Sequence, residues 1–179
     1  GRVVLAQPEG TWTARTHRLS LVIIEGERYI TDVGFGGMVP TAPLLLDTEA
    51  EQSTPHESYR IEKQADGYML RASVADEWRA MYLFDLQRQE DIDYTLGNWY
   101  VSTHRDSPFL GQLKVALIGP GVRRTLNNGS YALHRVGQPS ERRQITNAGE
   151  LMQLLQNEFA LRLPEHPELS RVLERLLEA

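Results

Sequence analysis

The chain has 179 residues, 41% of them hydrophobic and 24% charged, with a net charge of −5 and a pI near 5.6. That composition is ordinary for a globular protein of one large or two small domains, and it lacks the basic stripe of a nucleic-acid binder; Arg123-Arg124 and Arg142-Arg143 read as isolated pairs on solvated strand edges. The absence of cysteine excludes a disulfide framework and thiolate metal sites and fits a reducing compartment, and no apolar run approaches the roughly 18 residues of a membrane helix.

Residues 2–6 read as a strand and Pro8-Glu9-Gly10 as a loop. This opening, Gly1-Arg2-Val3-Val4-Leu5, shows no signal-peptide pattern and starts inside a strand without an initiator Met, as expected of a piece of a longer protein. Residues 19–24 and 29–33 are rich in β-branched and aliphatic side chains around Glu25-Gly26, which predicts a hairpin. With a four-residue loop Asp32 faces Leu19, and His17 lies two residues further along the same face. The two then sit diagonally, about 7–8 Å apart. An odd-length loop puts them on opposite faces. A carboxylate that accepts from one ring nitrogen of a histidine fixes its tautomer and leaves the other nitrogen as a base or ion-pair partner. Neither residue supplies a nucleophile, and either could instead be a strand-end histidine and a turn-capping aspartate. The following Val33-Gly34-Phe35-Gly36-Gly37 is an ordinary turn or a loop whose backbone lets a ligand approach its amides. It is neither a dinucleotide fingerprint nor a P-loop.

Residues 41–55 form an excursion over the surface with one buried run, Leu44-Leu45-Leu46, and His56 follows in an exposed polar loop. Residues 59–62 and 68–72 flank Ala65-Asp66-Gly67 as a second hairpin, and residues 78–84 make a third strand. These segments predict an antiparallel sheet or barrel. Residues 90–96 predict a short helix stopped by Gly97. Trp99 and Tyr100 are either core or a stacking surface for a flat ligand. A loop over 103–108 carries His104 and ends at Phe109. Strands follow at 114–118, 121–126 and 130–136, the last two joined by Asn127-Asn128-Gly129, with an edge strand at 142–145. Asn147 and Glu150 make a capping box for a helix facing the core with Leu151, Leu154, Leu155 and Phe159. Pro164 and Pro167 break the chain before a second core-facing stripe of Leu169, Val172, Leu173, Leu176 and Leu177.

Several stretches, in this order, resemble the arylamine N-acetyltransferases. They are Gly1-Arg2-Val3, Thr16-His17-Arg18-Leu19, Thr31 to Gly37 followed by Ala42-Pro43-Leu44, Met81-Tyr82-Leu83-Phe84-Asp85-Leu86, and Gly97-Asn98-Trp99-Tyr100 through Ser107-Pro108-Phe109. The likeness thins after about Lys114. The resemblance implies an α+β fold of the cysteine-protease/transglutaminase-like superfamily: an antiparallel β-barrel-like domain over 1–100 carrying the His–Asp dyad, then a small α/β lid with C-terminal helices over 101–179. It implies acetyl transfer from acetyl-CoA to aromatic amines or hydrazines by a Cys-His-Asp ping-pong mechanism, with no metal. His17 and Asp32 match the family's histidine and aspartate. Phe35 and Phe109 match aromatics of the acceptor pocket, and Gly36 and Gly37 the segment near the thioester and the CoA tail. The family's cysteine lies in an Arg-Gly-Gly-Tyr/Phe-Cys-Phe-Glu type motif in an N-terminal helical domain, and that motif is absent here. The resemblance therefore implies acetyl transfer for a parent protein, a cytoplasmic enzyme of xenobiotic metabolism acting on a small-molecule amine without nucleic acid or membrane. This chain alone is expected to be inactive and, with an apolar face uncovered, poorly soluble. Two other readings stay open: a cysteine-free ligand-binding module, and a related acyltransferase or amide synthase with another donor.

Overall fold

The computed structural model describes residues 1–8 and 10–178, so Glu9 of the expected Pro8-Glu9-Gly10 loop lies outside the described residues. The chain forms two compact units, Gly1–Val101 and Ser102–Ala179.

The first unit holds β1 (Arg2–Val3), β2 (Ser20–Ile24), β3 (Glu27–Thr31), β4 (Leu44–Leu45), β5 (Gln52–Ser53), β6 (Ser58–Gln64), β7 (Gly67–Val74) and β8 (Glu77–Phe84). They make two antiparallel sheets, ordered β1-β8-β7-β6-β5 and β2-β3-β4. Ile30 and Leu44 from the smaller sheet and Tyr59, Ile61, Leu70, Ala72, Met81, Tyr82 and Phe84 from the larger share one buried cluster. Strand alternation produces this face, as in β6, where Tyr59 and Ile61 are buried and their neighbours are not. One place departs from alternation: Leu70 pairs with Tyr82 but Arg71 pairs with Ala80, so Met81 is a bulge residue. The bulge turns both Met81 and Tyr82 inward.

Several expectations need correction. The first strand ends at Val3, because the amides of Val4 and Leu5 both donate to Met81 O and Ala6 turns the chain with φ 60. The 41–55 stretch is more than a surface excursion, since β4 pairs with β3 and β5 with β6. His56 is half-buried, its amide donating to Thr54 Oγ1 at 3.3 Å. Gly97 stops nothing. Helix α1 (Asp91–Thr103) runs through it, because Gly97 lacks the positive φ of a helix-ending glycine. The helix starts where the Glu90 amide donates to Asp93 Oδ2 at 2.9 Å, half of a capping box. Trp99 is 60% exposed and so is not core.

In the second unit β9 (Lys114–Gly119), β10 (Val122–Asn127), β11 (Ser130–Arg135) and β12 (Glu141–Gln144) form an antiparallel meander. Asn128 begins the β10–β11 turn with φ 49, and its side chain accepts from the Leu113 amide at 2.9 Å. Helices α2 (Ala148–Asn157) and α3 (Leu169–Glu178) complete the unit. The expected cap is present, with Asn147 Oδ1 accepting from the Glu150 amide at 2.8 Å. Leu151, Leu154, Leu155 and Phe159 are buried as the periodicity predicts, whereas of the α3 stripe Leu173 is buried and Val172 exposed. Of the arginine pairs, Arg142 and Arg143 are exposed on the edge strand β12, whereas Arg123 is buried and Arg124 pairs with Glu158 at 2.8 Å.

Candidate active site

The first hairpin closes through Glu25-Gly26, whose φ values of 53 and 88 belong to the type I′ turn that matches strand twist. The loop is two residues rather than four because the ladder adds the pair Ile24↔Glu27, but its register is the one with even parity. One step past the last pair, Ser20↔Thr31, brings Asp32 opposite Leu19 and His17 onto the same face. His17 Nε2 lies 2.6 Å from Asp32 Oδ2. The other carboxylate oxygen, Oδ1, accepts from the Gly34 amide at 2.8 Å. The Asp32 side chain is fully inaccessible and that of His17 is 10% exposed.

Both residues flank the β2–β3 hairpin of the smaller sheet, His17 three residues before β2 and Asp32 directly after β3, and the His17 backbone is also tied to Gly1, next to β1 of the larger sheet, which donates to His17 O at 2.6 Å and accepts from His17 N at 3.2 Å. The dyad sits on the seam. Two rings flank the imidazole: Phe35 is 5.1 Å from it edge-on, Tyr82 is 4.7 Å away, and Phe35 and Tyr82 are 5.0 Å apart. Burial pushes the Asp32 carboxyl up, but the His17 ring, the Gly34 amide and the Tyr82 hydroxyl outweigh it and hold it below its ordinary value. The Tyr82 hydroxyl is raised well above the usual phenol range by burial and by the Asp32 charge. With Nε2 committed to Asp32, the neutral ring carries its proton there, and Nδ1 has no hydrogen-bond partner among the described residues. The dyad can therefore take up a proton at Nδ1 from a group placed against it. By contrast, His104 Nδ1 and Asp106 Oδ2 are 3.8 Å apart on the surface, beyond hydrogen-bonding distance.

Phe35 lies half-buried against the core and precedes the 3-10 turn Gly36–Met38 that holds Gly36 and Gly37. Two cavities of about 290 Å³ and about 390 Å³ are lined by His17, Arg15, Arg18 and Tyr94. Arg18 stacks over the Tyr94 ring at 4.4 Å, and Arg15 pairs with Asp85 at 2.8 Å. Phe109 belongs to the second unit, where its exposed ring has the Lys114 ammonium 5.8 Å from its centroid. The structure thus groups His17, Asp32 and Phe35, with the glycines directly after them. Tyr82 was not assigned a role from sequence. Its signal was present, an aromatic inside the quoted Met81 to Leu86 stretch, but the bulge that aims it inward leaves no mark in the residue pattern. Among the described residues no group of three or more His, Cys, Asp or Glu is placed to hold a metal ion, and no helix is long and apolar enough to cross a membrane.

A family model described as N-acetyltransferase matches residues 1–167. The arylamine N-acetyltransferase of Mycobacterium tuberculosis strain H37Rv is 37% identical over 160 residues, 88% of this chain and 56% of that protein. That of Escherichia coli K12 is 37% identical over 162 residues, 90% of this chain and 57% of that protein. Among solved structures, Mycobacterium marinum arylamine N-acetyltransferase in complex with CoA aligns with a TM-score of 0.91 at 36% identity, over 99% of this chain and 66% of that one. The chain spans little more than half the length of these relatives from M. tuberculosis and E. coli. With the α+β fold shared and the likeness running through nearly all of its residues, the chain belongs to the arylamine N-acetyltransferase family.

Proposed function

We propose that the chain forms the histidine–aspartate portion of a cytoplasmic enzyme of xenobiotic metabolism that carries an acetyl group from acetyl-CoA to the nitrogen of an aromatic amine or hydrazine. The cysteine nucleophile comes from a helical N-terminal domain of the same parent protein. The observation that carries this reading is the buried His17–Asp32 contact at 2.6 Å, which commits Nε2 and leaves Nδ1 to pair with a thiol. The absence of cysteine in these residues, their share of the relatives' length and the exposed apolar strand Leu21-Val22-Ile23-Ile24 all support a further domain.

In the proposed cycle His17 Nδ1 takes the thiol proton, and the imidazolium holds the thiolate as an ion pair oriented through Asp32. The thiolate attacks the thioester carbonyl, the C–S bond to CoA breaks, and CoA leaves as the thiol with the proton from His17. The amine then attacks the acetyl-enzyme, its proton passes to Nδ1, and the C–S bond to the enzyme breaks to give the amide and the resting thiolate. Phe35 and Phe109 contact the aromatic acceptor, and Gly36 and Gly37 let the acetyl-CoA tail approach the backbone. No step involves a metal. The test is to measure the intact mass of the parent and to assay it with acetyl-CoA and an aromatic amine. A mass well above 20.4 kDa, ping-pong kinetics and loss of transfer in His17→Ala support the reading. A cysteine-free parent that binds CoA or an arylamine without transferring acetyl overturns it in favour of a binding module, and transfer only from another acyl donor overturns the choice of donor.

A further inference from the structure

The tip of the β10–β11 hairpin carries an Asn128-Gly129 pair that takes no part in the dyad chemistry. Asparagine before glycine is a chemically fragile sequence, because no Cβ keeps the glycine amide away from the neighbouring carboxamide. Here the two reacting groups are held apart. Asn128 is half-buried, its amide donating to Leu113 O at 2.8 Å and its Oδ1 accepting from the Leu113 amide at 2.9 Å. The carboxamide is thus tied toward the start of β9. Gly129 is buried and bound on the other side of the hairpin, its carbonyl accepting from the Ile145 amide at 2.7 Å. An added Cβ there would stand 2.5 Å from Gln144 Nε2 and Ile145 O, and 2.9 Å from Leu177 Cδ2. The end of β12 and helix α3 therefore wall in the attacking residue, while β9 lies at the opposite edge of the sheet.

We propose that Asn128 is a site of spontaneous deamidation, suppressed while the hairpin tip is closed and released when the tip opens. In the open tip solvent takes the proton from the Gly129 nitrogen, and that nitrogen bonds to Asn128 Cγ. The Cγ–Nδ2 bond breaks, and Nδ2 leaves as ammonia with a proton from water. Water then adds to one of the two carbonyls of the succinimide ring, and the bond from that carbonyl to nitrogen breaks. Attack at Cγ gives aspartate, whose oxygen replaces Oδ1 on the Leu113 amide as a charge-assisted acceptor. Attack at the backbone carbonyl gives isoaspartate, which lengthens the main chain by one methylene. That extra group falls in a two-residue loop closed by the pair Asn127↔Ser130, beside a glycine with no room for a Cβ. An isoaspartyl chain does not close its tip again, so the product permanently marks a chain that has opened.

The experiment needs no acetyl transfer and is independent of that reading. The 179-residue chain is aged at mildly alkaline pH in buffer and in urea, and the tryptic peptide of residues 125–135 is followed by mass spectrometry. Deamidation at Asn128 is expected to run at least about tenfold slower in buffer, where opening of the tip limits it. Leu177→Ala removes one wall beside Gly129 and leaves the Asn-Gly pair intact, so its rate in buffer rises toward that in urea. After urea is removed, enzymatic methylation of isoaspartyl carboxyls labels chains that stay sensitive to protease, whereas aspartyl chains recover resistance. Equal rates for the parent sequence in buffer and urea overturn the gate, as does a folded Leu177→Ala that reacts no faster than the parent. No mass change at Asn128 in urea overturns the site, and isoaspartyl chains that regain resistance overturn the permanence of the mark. Should Leu177→Ala not fold, the parent sequence in the two solvents decides alone.

Discussion

Replacing Asp32 by asparagine separates what the carboxylate does for stability from what it does for the histidine. The side chain keeps its shape in a fully inaccessible site, but one oxygen becomes an NH2 donor. The Gly34 amide can only donate, so the asparagine oxygen stays on it, as Oδ1 does at 2.8 Å. The new NH2 then faces His17 Nε2, where the Asp32 carboxylate lies at 2.6 Å. The imidazole resolves the clash of donors by moving its proton from Nε2 to Nδ1. Both contacts survive, but a hydrogen bond to a charged group, worth about 1.5–3 kcal/mol, becomes a neutral one worth about 0.5–1.5 kcal/mol. The loss is partly offset because burying an amide costs less than burying a carboxylate. The net destabilisation is about 1 kcal/mol, a fall in Tm of about 2–4 °C for a chain of this size. The decisive assay is long-range 1H–15N NMR of the ring nitrogens at neutral pH, which reads the Nε2–H tautomer in the parent and Nδ1–H in Asp32→Asn. In the parent enzyme proposed above, a proton parked on Nδ1 would block thiol deprotonation, and acetyl transfer is expected to fall by about 10²–10⁴-fold. The same tautomer in both proteins refutes the reasoning, as does undiminished transfer by the variant.

Three further outcomes test the structure elsewhere. The folded-state carboxyl of Asp32 lies below its unfolded value near 3.8, so its contribution to stability is complete above that pH and is lost as pH falls through the lower folded value. Melting temperatures measured from pH 6 downward therefore show the gap between the parent and Asp32→Asn closing on acidification; a gap that widens contradicts the assignment. Ala160 follows α2 with φ 53, and the Leu161 amide donates back to Leu155 O at 3.0 Å, a Schellman ending that prefers glycine. Ala160→Gly is expected to raise stability by about 1 kcal/mol in urea melts. A Cβ on Gly129 would stand 2.5 Å from both Gln144 Nε2 and Ile145 O, and 2.9 Å from Leu177 Cδ2. Gly129→Ala is accordingly expected to cost about 1–3 kcal/mol or more, read by the same melts, and a neutral result would mean that β12 and α3 shift freely.

What was legible in the sequence was mostly local. Two β-rich runs around Glu25-Gly26 define a hairpin, and parity alone then decides whether His17 and Asp32 share a face. The structure selects even parity by extending the ladder to Ile24↔Glu27. Asn147 could be named as a cap because its partner is three residues away. Gly97 misled because glycine ends a helix only where the backbone turns left-handed, a property of φ that composition does not carry. The α3 stripe was real, yet a periodic apolar face says which side is sticky and not how much of it is covered, so Val172 remains exposed while Leu173 is buried.

The surroundings of the dyad depend on pairings between strands far apart in sequence. His17 is held through Gly1, β1 borders β8, and β8 contributes Tyr82 because one residue too many was fitted opposite β7. Each contact joins segments that no local pattern relates. The seam between two sheets also explains how a rigid pair arises from loop-borne residues. Neither His17 nor Asp32 lies within a regular strand, but each is one to three residues from a strand end, and the two sheets share one buried cluster. Sliding the smaller sheet against the larger would pull the His17 backbone from Gly1 and disturb that cluster at the same time. The geometry of the dyad is therefore protected by the packing that stabilises the unit, and a substitution deep in the cluster acts on His17 and Asp32 without touching either.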